Sequence, residues 1–354
     1  MPYGNVFSKK YRDLRNLAGV LVKDCHRYEE ALSDTDEGYL ALCNRDERLE
    51  VAPNGKGYRC VWNWTSDLHA PKCLPRLGKR LMKRALENHP ICRATIPQNQ
   101  SDDPDISFII GHRGIDRLPN LLVTLESIAG QKDARFECIV IEQSETELIR
   151  NRLPSWVRYI HTLLPDENMP YCRAWAFNVG AKAALGQTLV LHDNDMMVPF
   201  DYAKEISERV NEGYEAINLK RFIFYLSQGH SVKVVSNHRL IEQRAPEVIV
   251  QNLEAGGSVA INRDSFFRLG GFDESFVGWG GEDNEFWERV QTLKTWPYGY
   301  LPIVHLWHAP QSGKLQHGRS TISLYETRSA IPAAERVAEL TARNPGNLHA
   351  PFGR

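Results

Sequence analysis

The sequence predicts an α/β fold, a parallel Rossmann-like sheet with a small N-terminal α+β extension. Three observations predict it. From Asp105 onward, apolar runs of strand length alternate with segments of helical period, the pattern of a parallel sheet with right-handed crossovers. Residues 1–104 lack that rhythm and end in the polar, proline-bearing stretch 97–104, which reads as a linker. Several apolar runs end in polar or acidic residues, and ligands of such sheets bind at the carboxyl ends of the strands.

In the extension, Leu14, Leu17, Val20 and Leu21 fall at helical spacing in a first helix. Arg48 to Trp64 reads as a hairpin turning at Asn54-Gly55. The run 72–86 carries Lys72, Arg76, Lys79, Arg80, Lys83 and Arg84 without an acid, and Leu74, Leu77, Leu81 and Ala85 share one helical face. It is either a solvated helix packing its leucines inward or a basic amphipathic helix resting on anionic lipid or an anionic acceptor. Ile106–Ile110 is the first buried strand, followed by a helix through Leu118, Leu122, Leu125 and Ile128. Strands at Phe136–Ile141 and Val157–Ile160 follow, then a helix through Ala174, Phe177, Ala181 and Ala184, then the strand Thr188–Leu191. The expected division is an extension over 1–104, an α/β domain over 105–317 and a helical tail over 318–354, with Arg328 to Arg343 forming a terminal helix.

Composition excludes some functions. In 354 residues, Lys+Arg 43 against Asp+Glu 44 leave a net charge of -1, so no global attraction to nucleic acid is expected. Seven cysteines without a CxxC pair fit free thiols in a reducing compartment. No apolar run reaches the ~18 residues of a membrane span, and the N-terminus does not read as a signal peptide. The expected location is cytoplasmic, with peripheral contact at the inner membrane face through 72–86 as its variant.

Two constellations carry chemistry. Past the strand ending at Leu191, Asp193 and Asp195 stand two residues apart and can share a divalent cation or a ribose hydroxyl, or merely cap a following helix. His305 and His308 follow another apolar stretch, and imidazole with carboxylate suits Mn²⁺ while leaving Zn²⁺ open. The stretch FVGWGGEDNE, 276–285, sets three glycines and a tryptophan beside adjacent carboxylates.

IIGHRG at 109–114, YCRAWAFNVGAKAA at 171–184, HDND at 192–195 and EAGGSVAINRDSFFRLGGFDESFVGWGGED at 254–283 together resemble the β-1,4-galactosyltransferase type of GT-A glycosyltransferase, including bacterial chondroitin-polymerase-like enzymes. The resemblance covers about 105–312. It implies a metal-dependent, inverting transfer of a hexose or N-acetylhexosamine from a UDP-sugar to a glycan acceptor, a lipid-linked one among the candidates. It implies that Gly111, His112 and Arg113 line the nucleotide pocket and that Glu142 with Gln143 approaches the uridine. Tyr171 would pack near the base, Arg173 would contact the nucleotide, Asp193 would bond the ribose, and Gly257 would border the donor sugar. Asp195 and His308 would ligate Mn²⁺ or Mg²⁺, with His305 standing where the galactosyltransferases have methionine. On the acceptor side, Trp279 would stack on a sugar beside Gly281, Glu282 would bond a sugar, and Asp283 would be the base. A sugar nucleotidylyltransferase and a catalytically silent carbohydrate-binding scaffold are the competing readings. GHRGIDR is a poor phosphate loop for the former, and the latter would not require Asp195, His308 and Asp283 together.

Overall fold

The computed structural model describes residues 14, 17–33, 37–45, 47–61, 67–309, 321–349 and 351. The distal end of the expected hairpin, Trp62 to Trp64, lies outside the described residues, as does the start of the tail at Gly318. The chain forms two compact units. One comprises 1–90, 220–253 and 298–307; the other comprises 91–219, 254–297 and 308–354.

The second unit is built on a seven-stranded sheet, whose central strands are buried on both faces and therefore covered on both. We number its strands β1 (Ile106–His112), β2 (Phe136–Ser144), β3 (Arg158–Leu163), β4 (Thr188–His192), β5 (Ala216–Ile217), β6 (Ser258–Asn262) and β7 (Thr295–Trp296). Their order in the sheet is β7-β5-β6-β4-β1-β2-β3. Strands β3, β2, β1 and β4 run parallel. The order 3-2-1-4 reverses between β1 and β4, which opens a crevice at their carboxyl ends. The sheet is mixed rather than wholly parallel. Ser258 pairs with His192, so β6 starts at the carboxyl end of β4 and must run antiparallel to it.

Its helices are α1 (Leu118–Ala129), α2 (Arg173–Ala183), α3 (Tyr202–Asn211), α4 (Arg263–Arg268), α5 (Glu282–Val290), α6 (Ile322–Ser329) and α7 (Ala333–Thr341). Ile109, Ile139, Ile141, Trp175, Phe177 and Phe286 belong to one continuous core between sheet and helices. The single terminal helix expected over 328–343 is instead the end of α6 and the whole of α7, parted at Ile331-Pro332. Proline fixes its own φ and turns the preceding residue away from helix.

In the first unit, Arg48–Val51 and Tyr58–Val61 pair antiparallel as the expected hairpin. A second sheet joins Lys220–Tyr225 antiparallel to Val248–Gln251 and parallel to Leu301–His305. Arg221 is buried and donates to the carbonyls of Leu40 and Leu42 and to Asn252 Oδ1. Burial lowers its pKa to about 10. The basic run 72–86 is not one helix, since Pro75 separates His69–Cys73 from Pro75–Asn88. Leu77, Leu81 and Ala85 are buried while Arg76, Lys79 and Lys83 are exposed, as the periodicity predicts. Of the apolar residues expected on one face, Leu14 and Leu21 are exposed and only Val20 is buried; the π turn Val20–Asp24 shifts the helical phase from Val20 onward.

Candidate functional site

Strand β4 delivers Asp193, Asn194 and Asp195 to the crevice, and the turn that carries them is pinned from several sides. His192 shares a hydrogen bond with Met196 O through Nε2 at 2.9 Å. A carbonyl only accepts, so Nε2 carries the proton and Nδ1 accepts from Ser258 Oγ at 2.8 Å. Asp193 N donates to Gly257 O at 2.8 Å, tying the turn to the start of β6. Asn194 Nδ2 lies 2.9 Å from Nδ1 of His112, whose Nε2 meets Gly114 O at 2.7 Å. The same reasoning leaves His112 Nδ1 as acceptor, and burial lowers the pKa of this ring.

Asp195 is buried, with Arg117 Nη1 at 3.5 Å and His308 Nε2 at 3.2 Å from Oδ2. His308 Nδ1 sits 2.8 Å from Ala309 O, which requires a proton on Nδ1. In the neutral ring Nε2 then turns a lone pair toward a carboxylate oxygen. Two facing acceptors need a cation or a proton between them, so the donor chemistry of this pair fits a divalent metal. His305 ends the strand Leu301–His305 of the first unit, where its ring stacks on Tyr225 with centroids 4.3 Å apart.

At the end of β1, Gly111 is a true requirement. A Cβ there would fall 2.1 Å from Tyr171 Oη, so only glycine lets the phenol close over the strand. Arg113 Nη1 donates to Met169 O at 2.5 Å. Glu142 is fully buried and its carboxylate accepts from Leu148 N at 3.2 Å, Ile149 N at 3.3 Å and Tyr159 Oη at 2.5 Å. Those bonds commit it to holding the loop after β2. Gln143 bonds both backbone groups of Cys172, at 2.6 and 3.0 Å, and so sets the entry to α2.

The first residue of α2 organises the centre. Arg173 Nε donates to Asp193 Oδ1 at 2.7 Å, Nη1 donates to Asp283 Oδ1, and Nη1 lies 3.7 Å from Glu282 Oε1. Burial opposes its charge, yet the three carboxylates hold its pKa above the ordinary arginine value. Glu282 and Asp283 open α5, where the helix N-terminus favours negative charge. Gly281 caps that helix at φ 88°, and a Cβ would lie 2.6 Å from Tyr325 Cβ. Desolvation raises the Asp283 pKa to about 7, with Glu282 and Asp193 adding to the rise and Arg173 opposing it. Trp279 is 44% exposed in the preceding loop. Gly278 N donates to Tyr171 O at 3.0 Å, which joins that loop to the segment entering α2.

Of the residues singled out in the sequence, Arg173 thus meets Asp193, Glu282 and Asp283, while Asp195 meets His308 and Gly111 lies under Tyr171. The residues missed by sequence reasoning are Arg117, Asn194 and Ser258, which hold the acidic turn. Asn194 lies inside the acidic motif and Ser258 directly after Gly256-Gly257, so their positions were the available signal; Arg117 had none.

A family model described as the N-terminal domain of galactosyltransferase matches residues 249–296. Chondroitin synthase of Escherichia coli is 56% identical over 312 residues, covering 74% of this chain and 41% of that protein. Validoxylamine A glucosyltransferase of Streptomyces hygroscopicus subsp. limoneus is 26% identical over 242 residues, covering 57% of this chain and 51% of that protein. The chain therefore spans about half or less of the length of these two curated relatives. Among solved structures, GalNAc-T7 with UDP, GalNAc and Mn²⁺ aligns at a TM-score of 0.46 and 17% identity, over 66% of this chain and 50% of that one.

Proposed function

The chain belongs to the GT-A glycosyltransferases, and from that premise we propose that it transfers a hexose or N-acetylhexosamine from a UDP-sugar to a hydroxyl of a glycan acceptor. The observation that carries the reading is the cluster in which Arg173 gathers Asp193, from the end of β4, with Glu282 and Asp283, from the start of α5. Such a cluster joins a donor-side carboxylate to an acceptor-side one through a single cation.

Asp193 would bond the ribose, with Gly111, His112, Arg113, Glu142, Tyr171, Arg173 and Gly257 forming or bracing the donor pocket. Asp195 and His308 would hold Mn²⁺ or Mg²⁺. The metal, when bound, neutralises charge developing on the diphosphate. Trp279 would offer its indole face to the acceptor sugar beside Gly281, while Glu282 would bond a sugar hydroxyl.

Asp283 would accept the proton of the acceptor hydroxyl. That oxygen forms its bond to the anomeric carbon as the bond from that carbon to the UDP oxygen breaks, with the electron pair leaving on the diphosphate. One displacement of this kind inverts the anomeric configuration. A carboxylate whose pKa has risen to about 7 suits the task, since a base works best near the ambient pH. Similarity to a chondroitin synthase supports a polysaccharide acceptor in bacterial polysaccharide or glycoconjugate synthesis. A lipid-linked acceptor near a membrane surface accords with the basic helix Pro75–Asn88.

The test is release of UDP from a panel of UDP-hexoses and UDP-N-acetylhexosamines with Mn²⁺ and with Mg²⁺, followed by acceptor trials. One donor should stand out, and its product should carry the opposite anomeric configuration. Release from none of them would overturn the reading.

A further inference from the structure

Helix α5 carries Glu282 and Asp283 at its start, and its opposite end is buried in a network that none of the proposed chemistry uses. Glu285 and Arg289 are both fully buried. Arg289 bonds both oxygens of Glu285, at 2.8 and 2.6 Å, and its Nη1 donates to Leu269 O and Gly271 O at 2.6 and 2.8 Å. Onto this pair comes Arg336, from α7. Its Nη1 donates to Glu285 Oε1 at 3.0 Å, its Nη2 to Glu288 Oε2 at 2.6 Å, and its Nε to Ile331 O at 3.0 Å. Tyr325, from α6, donates to the other oxygen of Glu288 at 2.6 Å.

Two guanidiniums and two carboxylates thus balance in charge, and Arg336 is the member contributed from outside α5. Glu282, Glu285 and Glu288 are each three residues apart, so they follow one side of the helix. A contact that fixes Glu285 and Glu288 therefore fixes the rotation of the helix about its axis, and with it the direction in which the first turn presents its carboxylates to Arg173. The tail also packs on the start of the helix, where Tyr325 lies against Gly281.

We propose that Arg336 is a positioning residue that locks α5 in the rotation bringing Asp283 to the acceptor hydroxyl. The inference rests on the reading of Asp283 as base. It assigns the C-terminal helices a part in turnover, acting through α5 and touching no substrate. Loss of Arg336 leaves the Asp193 side of the site as it is, so donor binding should survive while the chemical step slows. A misplacement of about 1 Å can cost ~10²-fold in rate, so the expected fall in kcat is ~10- to 100-fold.

The experiment compares Arg336→Met, Arg336→Lys, Asp283→Asn and the double variant Arg336→Met/Asp283→Asn. It measures kcat, the KM of each substrate and the affinity for UDP by calorimetry. The expected result is a reduced kcat in Arg336→Met with UDP affinity unchanged, partial recovery in Arg336→Lys, and no further loss when Arg336→Met is added to Asp283→Asn. Wild-type kcat in Arg336→Met, or an equal loss of UDP affinity and kcat, overturns the inference. If the Met variant does not fold, Arg336→Lys decides: reduced kcat at normal UDP affinity supports it, and wild-type kcat overturns it. Full activity of Asp283→Asn alone would sink the assignment of the base; normal turnover in Arg336→Met beside a crippled Asp283→Asn sinks only this inference.

Discussion

To act as the proposed base, Asp283 has to be ionised at a place where burial makes ionisation costly, and Arg173 is what offsets the cost. Burial with Glu282 and Asp193 nearby raises its pKa to about 7, against the pull of the Arg173 guanidinium. Because the ionised form would be the proposed base, kcat/KM for the acceptor should rise with pH through about 7 and level off above it. Glu282→Gln removes a like charge and should move that midpoint to lower pH; an unmoved midpoint would mean another group sets the limb. Asp283→Asn should lower turnover by ~10²–10⁴-fold. The linkage has a definite sign. A carboxyl with a raised folded-state pKa adds stability that is fully present below its unfolded value and is lost as pH rises through the folded one. The melting temperature of the wild type relative to Asp283→Asn should therefore fall between pH 4 and pH 8. On the metal side, Asp195→Asn should weaken Mn²⁺ binding measured by calorimetry, and chelation should stop UDP release until Mn²⁺ is restored. These residues could be singled out in the sequence because each proposed chemistry needs a residue type that few alternatives supply. Arg173 could be singled out as a basic residue, but its bonds to two carboxylates could not, since Asp193 and Asp283 lie 20 and 110 positions along the chain.

Helices and strands were legible where one period dominated. The first strand, the helix after it and the strand before the acidic turn follow from apolar runs that burial on both faces demands. What escaped was set by partners distant in sequence. The direction of β6 depends on where it meets β4, and the buried side of α5 depends on Arg336 from elsewhere in the chain. Only the Glu285–Arg289 pair had a local signal, the four-residue spacing that sets two side chains on one helical face. The prolines at 75 and 332 are signals the periodicity overrode, and each divides what the apolar spacing alone would draw as one helix. At the start of α5, Gly281→Ala would place a Cβ both at positive φ and against Tyr325. The strain of a left-handed non-glycine residue is of order 1–3 kcal/mol, before any steric term. Gly281→Ala should therefore lower the melting temperature and kcat together, and a variant with wild-type values of both would show that the cap is not rigid.

For the whole molecule, the net charge of -1 leaves any contact with an anionic surface to a local patch. Among the described residues no helix is long and apolar enough to cross a membrane. Contact through a basic surface helix would be electrostatic and interfacial. The patch is the exposed side of the basic run 72–86, most of it on Pro75–Asn88, and part of its charge is already engaged. Lys72 lies 3.8 Å from Asp67, Arg80 lies 3.5 Å from Glu29 and Lys83 lies 3.6 Å from Glu87. Arg76 and Lys79 are exposed on the same helix, and a basic residue near an anionic bilayer contributes about 1 kcal/mol. Two such residues would give a weak, salt-sensitive attachment, enough to concentrate the protein near the proposed lipid-linked acceptor without anchoring it. Sedimentation with phosphatidylserine vesicles should retain the protein at low salt, release it as ionic strength rises, and fail for Arg76→Glu/Lys79→Glu. Equal retention on neutral and anionic vesicles would remove the membrane from the account and leave the helix as a solvated face over buried leucines.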